Sequence, residues 1–270
     1  MAWDLNELEY INTIDISAIS SYPNGISFND DGTRMYIACY SQKRIFQMDL
    51  TTAWNPDTFT NVTNISLPDP LHQPGGICFS PDGLKLFLSV TGVYDNVLQY
   101  SLTTPWDIKT ASLLYTSISL TPWENSISDI FIDPLGNYLY IIGYSSDKIH
   151  RMTMSTSWDI STLSTSGVQE ISSGDPTPRG VFLSEDGHNI YIIRDGQNDI
   201  VQFKLGTAWD LTTIGSLVYE LEVNIYDNSP QSFYWDSRGA LFFFTGASGD
   251  TVEKFEIPKP VTFIPQVSIL

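Results

Sequence analysis

Residues 95–108, Asp95-Asn96-Val97-Leu98-Gln99-Tyr100-Ser101-Leu102-Thr103-Thr104-Pro105-Trp106-Asp107-Ile108, end on the anchor that decides the fold. The same anchor returns as Trp3-Asp4-Leu5, Trp54-Asn55, Trp158-Asp159-Ile160 and Trp209-Asp210-Leu211. Successive tryptophans stand 51, 52, 52 and 51 residues apart. A period of that length, made of short strands, is the mark of a β-propeller with one four-stranded blade per repeat.

Outward from the anchor, every repeat has the same grammar. It opens on a short apolar strand: Gly25-Ile26-Ser27-Phe28, Gly76-Ile77-Cys78-Phe79, Asp129-Ile130-Phe131-Ile132, Gly180-Val181-Phe182-Leu183 and Ser232-Phe233-Tyr234-Trp235. A tight turn follows at Asp31-Gly32, Asp82-Gly83, Leu135-Gly136, Asp186-Gly187 and Arg238-Gly239, where glycine accepts the positive φ of a hairpin. The next strand is apolar throughout, as in Leu139 to Ile142, so both its faces should be buried. A third, alternating strand leads into the tryptophan turn, and a fourth grows more polar towards the rim.

The ends carry the topological clue. The last repeat stops after its third strand at Ile257, whereas Trp3-Asp4-Leu5 and a strand-like stretch from Leu8 to Ile16 precede the first. The N-terminal strand is therefore expected to complete the last blade, closing the ring and removing two sheet edges. The expected domain is an all-β, single five-bladed β-propeller of four-stranded antiparallel blades over residues 1–257. Residues 1–17 supply the outer strand of the closing blade, and the blades fall at about 21–67, 74–120, 125–171, 178–222 and 229–257. Residues 258–270 carry three prolines and read as an extended C-terminal tail.

Lys and Arg number 13 against 31 Asp and Glu, a formal charge of −18, which repels phosphate backbones and argues against nucleic acid as a partner. No stretch is apolar for the length of a membrane span. The repeat begins at Trp3, so no signal peptide is expected ahead of it. Cys39 and Cys78 lie in different repeats without a C-x-x-C spacing, which excludes a zinc ribbon or a disulfide scaffold. His72, His150 and His188 occupy non-equivalent positions. Asp95, Asp147, Asn198 and Asp250 align with one another, but on separate blades, and read as turn residues; neither a metal nor a cofactor is expected.

The pattern of Phe79-Ser80-Pro81-Asp82-Gly83, Asp95 to Leu102 and Thr103-Thr104-Pro105-Trp106-Asp107-Ile108 resembles a propeller repeat of environmental bacterial and bacteriophage proteins, and the likeness covers about 250 residues. The resemblance implies the propeller fold and suggests a virion component that docks to a receptor, a glycan or neighbouring virion proteins, the last through the C-terminal tail.

Positions that break the repeat are the candidate ligand residues. Inner strands normally open Pro-x-Gly, but the third opens Ile127-Ser128-Asp129, placing a lone carboxylate near the axis. Trp123 and Glu124 precede it, and Asp175, Arg179, Tyr94 and Tyr144 lie on loops at the same end. Exposed aromatics among Asp, Asn and Gly suit sugar rings, whose apolar faces stack and whose hydroxyls take bidentate hydrogen bonds. The five Trp-Asp corners and the Asp-Gly turns are read as structural, each tryptophan packing over the outer edge of the neighbouring blade. A non-catalytic binding or structural propeller is the first reading. The alternative is a glycoside hydrolase, which would need carboxylates about 5–10 Å apart at the axial mouth, with Glu124 or Asp175 beside Asp129.

Overall fold

The computed structural model describes residues 2–92, 95–172 and 177–258. Twenty strands run through them. The first, β1 (Glu9–Asp15), stands ahead of the repeat. Blade one holds β2 (Pro23–Phe28), β3 (Arg34–Cys39), β4 (Arg44–Leu50) and β5 (Phe59–Ser66), and blade two holds β6 (Gln73–Phe79), β7 (Lys85–Thr91), β8 (Asn96–Leu102) and β9 (Ala111–Thr116). Blade three holds β10 (Ile127–Ile132), β11 (Tyr138–Gly143), β12 (Lys148–Met154) and β13 (Leu163–Ser172). Blade four holds β14 (Pro178–Leu183), β15 (Asn189–Arg194), β16 (Asp199–Leu205) and β17 (Ile214–Glu222). The chain ends on β18 (Pro230–Trp235), β19 (Leu241–Gly246) and β20 (Thr251–Glu256), and β1 completes that fifth sheet in the order β1-β20-β19-β18. All five sheets are antiparallel, and the inner strands β2, β6, β10, β14 and β18 touch in a closed circle.

The apolar second strands lie where their composition puts them. Leu139 to Ile142 and Ile190 to Ile193 are fully buried, because each blade is sandwiched between two others. The hydrophobic core is accordingly divided into five clusters, one in each gap between blades. Tyr36, Ala38 and Ile45 meet Leu86 and Leu88 between blades one and two, while Ile14, Ile16 and Phe243 meet Ile26 and Phe28 where the ring closes.

The tryptophan turns join the blades. Trp3, Trp54, Trp106, Trp158 and Trp209 all adopt positive φ, between 60° and 66°, a conformation that costs a bulky residue about 1–3 kcal/mol. Each is held there by its own blade. The Trp106 N–H donates to the Gly83 carbonyl (2.9 Å) and its indole lies flat on Gly83, where a Cβ would stand 2.4 Å from the ring. The indole thus covers the hairpin glycine of its own blade and also packs on the neighbouring blade, against inner-strand rings rather than the expected outer edge: Trp3 stacks on Phe182 (5.9 Å), Trp54 on Tyr234 (6.2 Å) and Trp209 on Phe131 (6.3 Å). The backbone of the turn reaches the neighbour as well. Tyr36 in blade one donates to the Trp106 carbonyl (2.5 Å), and Tyr140 in blade three donates to that of Trp209 (2.7 Å). Two residues beyond each tryptophan, the Ile108 N–H donates to Gln47 Oε1 (3.0 Å), Ile160 to Gln99 (3.0 Å) and Leu5 to Gln202 (3.1 Å). These glutamines are buried in the preceding blade, so each amide bond is desolvated and costly to lose.

Two seams depart from this rule. Between blades three and four Arg151 holds the glutamine's register, and the Leu211 N–H donates instead to Gln169 of β13 (3.2 Å). Where blade five meets blade one, the equivalent turn residue is Pro56, which has no N–H, and the equivalent of the glutamine is Lys254. Donor and acceptor are absent together, and the seam is carried by the packing of Ile14, Ile16 and Phe243 with two side-chain bonds across it, Asn12 Nδ2 donating to Asp57 (2.5 Å) and the Tyr22 N–H to Asp250 (2.6 Å).

The N-terminal segment is tied in three ways: by the β1–β20 ladder, by the Trp3 N–H donating to Gly239 (2.9 Å), and by Leu5 on Gln202. Deleting residues 1–17 removes the buried Leu5, Ile14 and Ile16, each contributing about 1.5–3 kcal/mol, and opens an edge on β20. The truncated chain should aggregate or lose its cooperative melt, measured by gel filtration and circular dichroism; a soluble, cooperatively melting truncation would show that the segment is not a clasp.

Candidate functional site

Asp129 opens β10 on the central axis, and its carboxyl is enclosed rather than displayed at a mouth. Only 4% of it is exposed. Its Oδ1 accepts from the Ile130 N–H (2.9 Å), and its Oδ2 accepts from the Val181 N–H of blade four (3.3 Å) and the Ser232 hydroxyl of blade five (3.2 Å). Glycine at residue 76 makes room for it: a Cβ there would lie 1.8 Å from Asp129 Oδ1. The repeat-breaking aspartate is therefore a polar plug that bonds three blades across the axis. Burial pushes its pKa from 3.8 up to about 8, and the two N–H donors and the serine only partly oppose that.

Glu124 is also taken up by the fold. It is buried and accepts from the N–H groups of Ser126 (2.9 Å), Ser145 (3.2 Å) and Ser146 (3.1 Å), from the Ser146 hydroxyl (2.7 Å) and from the Ser145 hydroxyl. It clamps the loop before β10 to the loop after β11. Ser146 Oγ in turn lies 3.2 Å from His150 Nε2, whose other ring nitrogen is 3.6 Å from Glu170. That is the order of a nucleophile, a base and an orienting acid, but the hydroxyl proton points to Glu124. His150, read as incidental from the sequence, is the buried end of this clamp. Burial holds its pKa below the usual histidine value, against the pull of Glu170 and Glu124. Asp227 performs the same task in blade five, accepting from Ser229 (2.7 Å) and Gly249 (2.8 Å).

Arg179 and Tyr144 do meet. At the mouth where the inner strands begin, the Arg179 guanidinium stacks on the Tyr144 ring (4.6 Å) and its Nε donates to Asp195 (3.1 Å). Asp195 follows β15 directly, the register position that carries Tyr40 after β3 and Tyr144 after β11. That equivalence was the available signal for it. Tyr22 and Tyr40 stand against each other at 5.2 Å. Burial raises the Tyr40 hydroxyl's pKa, with Tyr144 and Tyr22 adding to the shift and Gln73 and Arg179 opposing it, so residues of four blades contribute to one polar-aromatic cluster. Trp123 is half-buried against the core between blades two and three rather than standing free as a stacking platform. Tyr94 and Asp175 lie outside the described residues.

The axial cavity opens at the other end. It measures about 250 Å³ and is bounded by the inner strands, with Asp129 at its closed end and Asp30 and Glu185 at the rim beside the hairpins. Its geometry was not legible from the repeat, which directs attention to the opposite mouth.

Lys43, Asp147, Asn198 and Asp250 share a positive φ of 53–56°, so the aligned polar position serves a left-handed turn. Among the described residues no cluster of three or more His, Cys, Asp or Glu could hold a metal ion, and no helix is long and apolar enough to cross a membrane. Both cysteines are free thiols.

No family model matches the chain, and no curated protein is significantly similar to it in sequence. Solved structures match it in fold. A functionally unknown protein from Desulfotomaculum acetoxidans superposes with a TM-score of 0.51 at 16% identity, over 84% of this chain and 63% of that one. A protein named as a candidate 6-phosphogluconolactonase, from Bacteroides uniformis, gives 0.53 at 16% identity, over 86% and 65%. The β-propeller domain of Swd1 from Myceliophteria thermophila gives 0.50 at 13%, over 93% and 100%. The chain thus spans about two thirds of the length of the first two. Identities this low show the propeller fold alone.

Asp129 makes a pH prediction. Its folded pKa lies above its unfolded one, so its contribution to stability is fully present below about pH 4 and is lost as pH rises through about 8. Asp129→Asn removes that titration. Between pH 5 and 8 the wild type should lose stability relative to this variant by about 1.4 kcal/mol per pH unit, read from urea unfolding at three pH values. A pH-independent difference would show that the carboxyl is ionised throughout.

Proposed function

We propose that this propeller is a non-catalytic binding module, and that the mouth formed by Tyr22, Tyr40, Tyr144, Arg179 and Asp195 recognises a glycan on a receptor. The observation that carries the reading is the Arg179 guanidinium, oriented between the Tyr144 ring and Asp195 (4.6 and 3.1 Å) beside two further tyrosines. Fixed donors and acceptors flanked by rings suit vicinal hydroxyls on one side and the apolar face of a sugar on the other. A glycoside hydrolase needs one carboxyl to give a proton and a second to attack or activate water. Asp129 is bonded across three blades and Glu124 is enclosed by serines, which weighs against that use of either. The resemblance of the repeat to phage propellers adds the virion to this proposal, with residues 258–270 as the docking segment for a neighbouring protein.

Arg179→Ala and Tyr144→Ala each remove half of the stacked pair from the surface. Both should weaken adsorption to glycans or whole cells at least ten-fold while leaving the melting temperature within a few degrees. Retained binding by both variants would remove this mouth from consideration; hydrolysis of the bound glycan would overturn the non-catalytic reading.

A further inference from the structure

The cavity at the hairpin end is a second site, chemically unlike the tyrosine mouth. It exists because the inner strands differ at one register position. Phe131, Phe182 and Tyr234 face the axis from blades three, four and five, paired across their hairpins with Tyr140, Tyr191 and Phe243. The same position holds Ser27 in blade one and Cys78 in blade two, paired with Tyr36 and Phe87. Three rings thus crowd one side, with Phe131 and Phe182 edge to face at 4.9 Å and Phe182 and Tyr234 at 6.4 Å, and two small side chains leave the other side open. Further rings border the space: Phe28, 5.2 Å from Tyr234, and Phe79.

The charged groups at the entrance to this space share one sign. The described residues that line it include the carboxyls of Asp30, Asp129 and Glu185 and no lysine, arginine or histidine. Asp30 and Glu185 are exposed at the entrance, and Asp129 is enclosed at the far end. Arg238, on the nearby hairpin, is paired with Asp236 at 2.6 Å. The face of an aromatic ring carries negative charge, and an organic cation placed against one is attracted more strongly once it is desolvated. An anion would meet ring faces and carboxylates with no compensating donor of positive charge. A neutral apolar molecule would gain from burial alone and would draw nothing from the acidic rim.

We propose that the axial cavity binds a small organic cation of the trimethylammonium or alkylammonium class, its methyl groups against Phe131, Phe182 and Tyr234 and its charge towards Asp30 and Glu185. The volume of about 250 Å³ suits a ligand of choline's size and excludes a polymer, so this site is distinct from the glycan mouth.

Titration calorimetry with choline and with its uncharged carbon analogue, 3,3-dimethylbutan-1-ol, separates cation recognition from simple burial. Choline should bind the wild type at least ten-fold more tightly than the analogue. Ser27→Phe places in blade one the residue that blades three and four already carry, so it should fill the cavity and abolish choline binding with a cooperative melt preserved. Asp30→Asn with Glu185→Gln should weaken choline and leave the analogue unchanged. Equal affinity for the two probes, no choline binding at millimolar concentration, or undiminished binding by Ser27→Phe would each overturn the proposal; the probe comparison needs no variant to fold.

Discussion

Five tryptophans forced into left-handed backbone hold this ring together. A ring of independent sheets has no covalent reason to close, and each gap between blades must supply its own adhesion. Hydrophobic packing does most of that, but it does not fix the height of one blade against the next. The tryptophan corner does. The indole covers the hairpin glycine of its own blade, and that contact, with the N–H bond to the glycine carbonyl, holds the strained backbone. At Trp106 the strained turn then presents its carbonyl to Tyr36 and, two residues on, an N–H to Gln47 of the preceding blade.

The fold was legible because its devices repeat. The tryptophan spacing, the glycine hairpins and the unmatched strands at the two ends sufficed for blade number and for closure by β1. Gln99 stood in the quoted motif and Gln202 holds the same place in its own repeat, yet their role depends on a partner about sixty or two hundred residues away in sequence, which periodicity cannot pair. The candidate site was less legible for a related reason. A residue that departs from a repeat is exceptional, but the departure does not say whether it serves a ligand or the fold. Asp129 and Glu124 depart to bond neighbouring blades and loops, whereas Arg179 and Tyr144 depart and remain at a mouth. Asp195 escaped notice because only the hairpin register places it beside Arg179.

The two ends of the axis are separated by the Asp129 plug. On one side lie tyrosines with a guanidinium and a carboxylate; on the other lie aromatic walls with carboxylates only. Fivefold repetition would make such ends uniform, and their chemistry comes from the few positions where the blades differ. Ser27 and Cys78 create space on the axis, and Gly76 creates the room that Asp129 fills. The register position that Cys78 and Phe131 share also packs against the blade-to-blade cores, Phe131 between blades three and four and Cys78 between blades two and three, so one small side chain both opens the channel and fits the core beside it.

The central claim is that the glutamine acts by satisfying the turn's buried N–H. The seam between Lys254 and Pro56 suggests how to isolate that bond. Ile108→Pro removes the donor at a first-turn position that tolerates proline, after an Asp107 already in extended conformation. Equilibrium unfolding of Gln47→Leu should show a loss of about 1–3 kcal/mol with Ile108 present, where the N–H is left orphaned, and a much smaller loss in the Ile108→Pro background. An equal loss in both backgrounds would contradict the account, placing the contribution of Gln47 in packing rather than in the bond between blades.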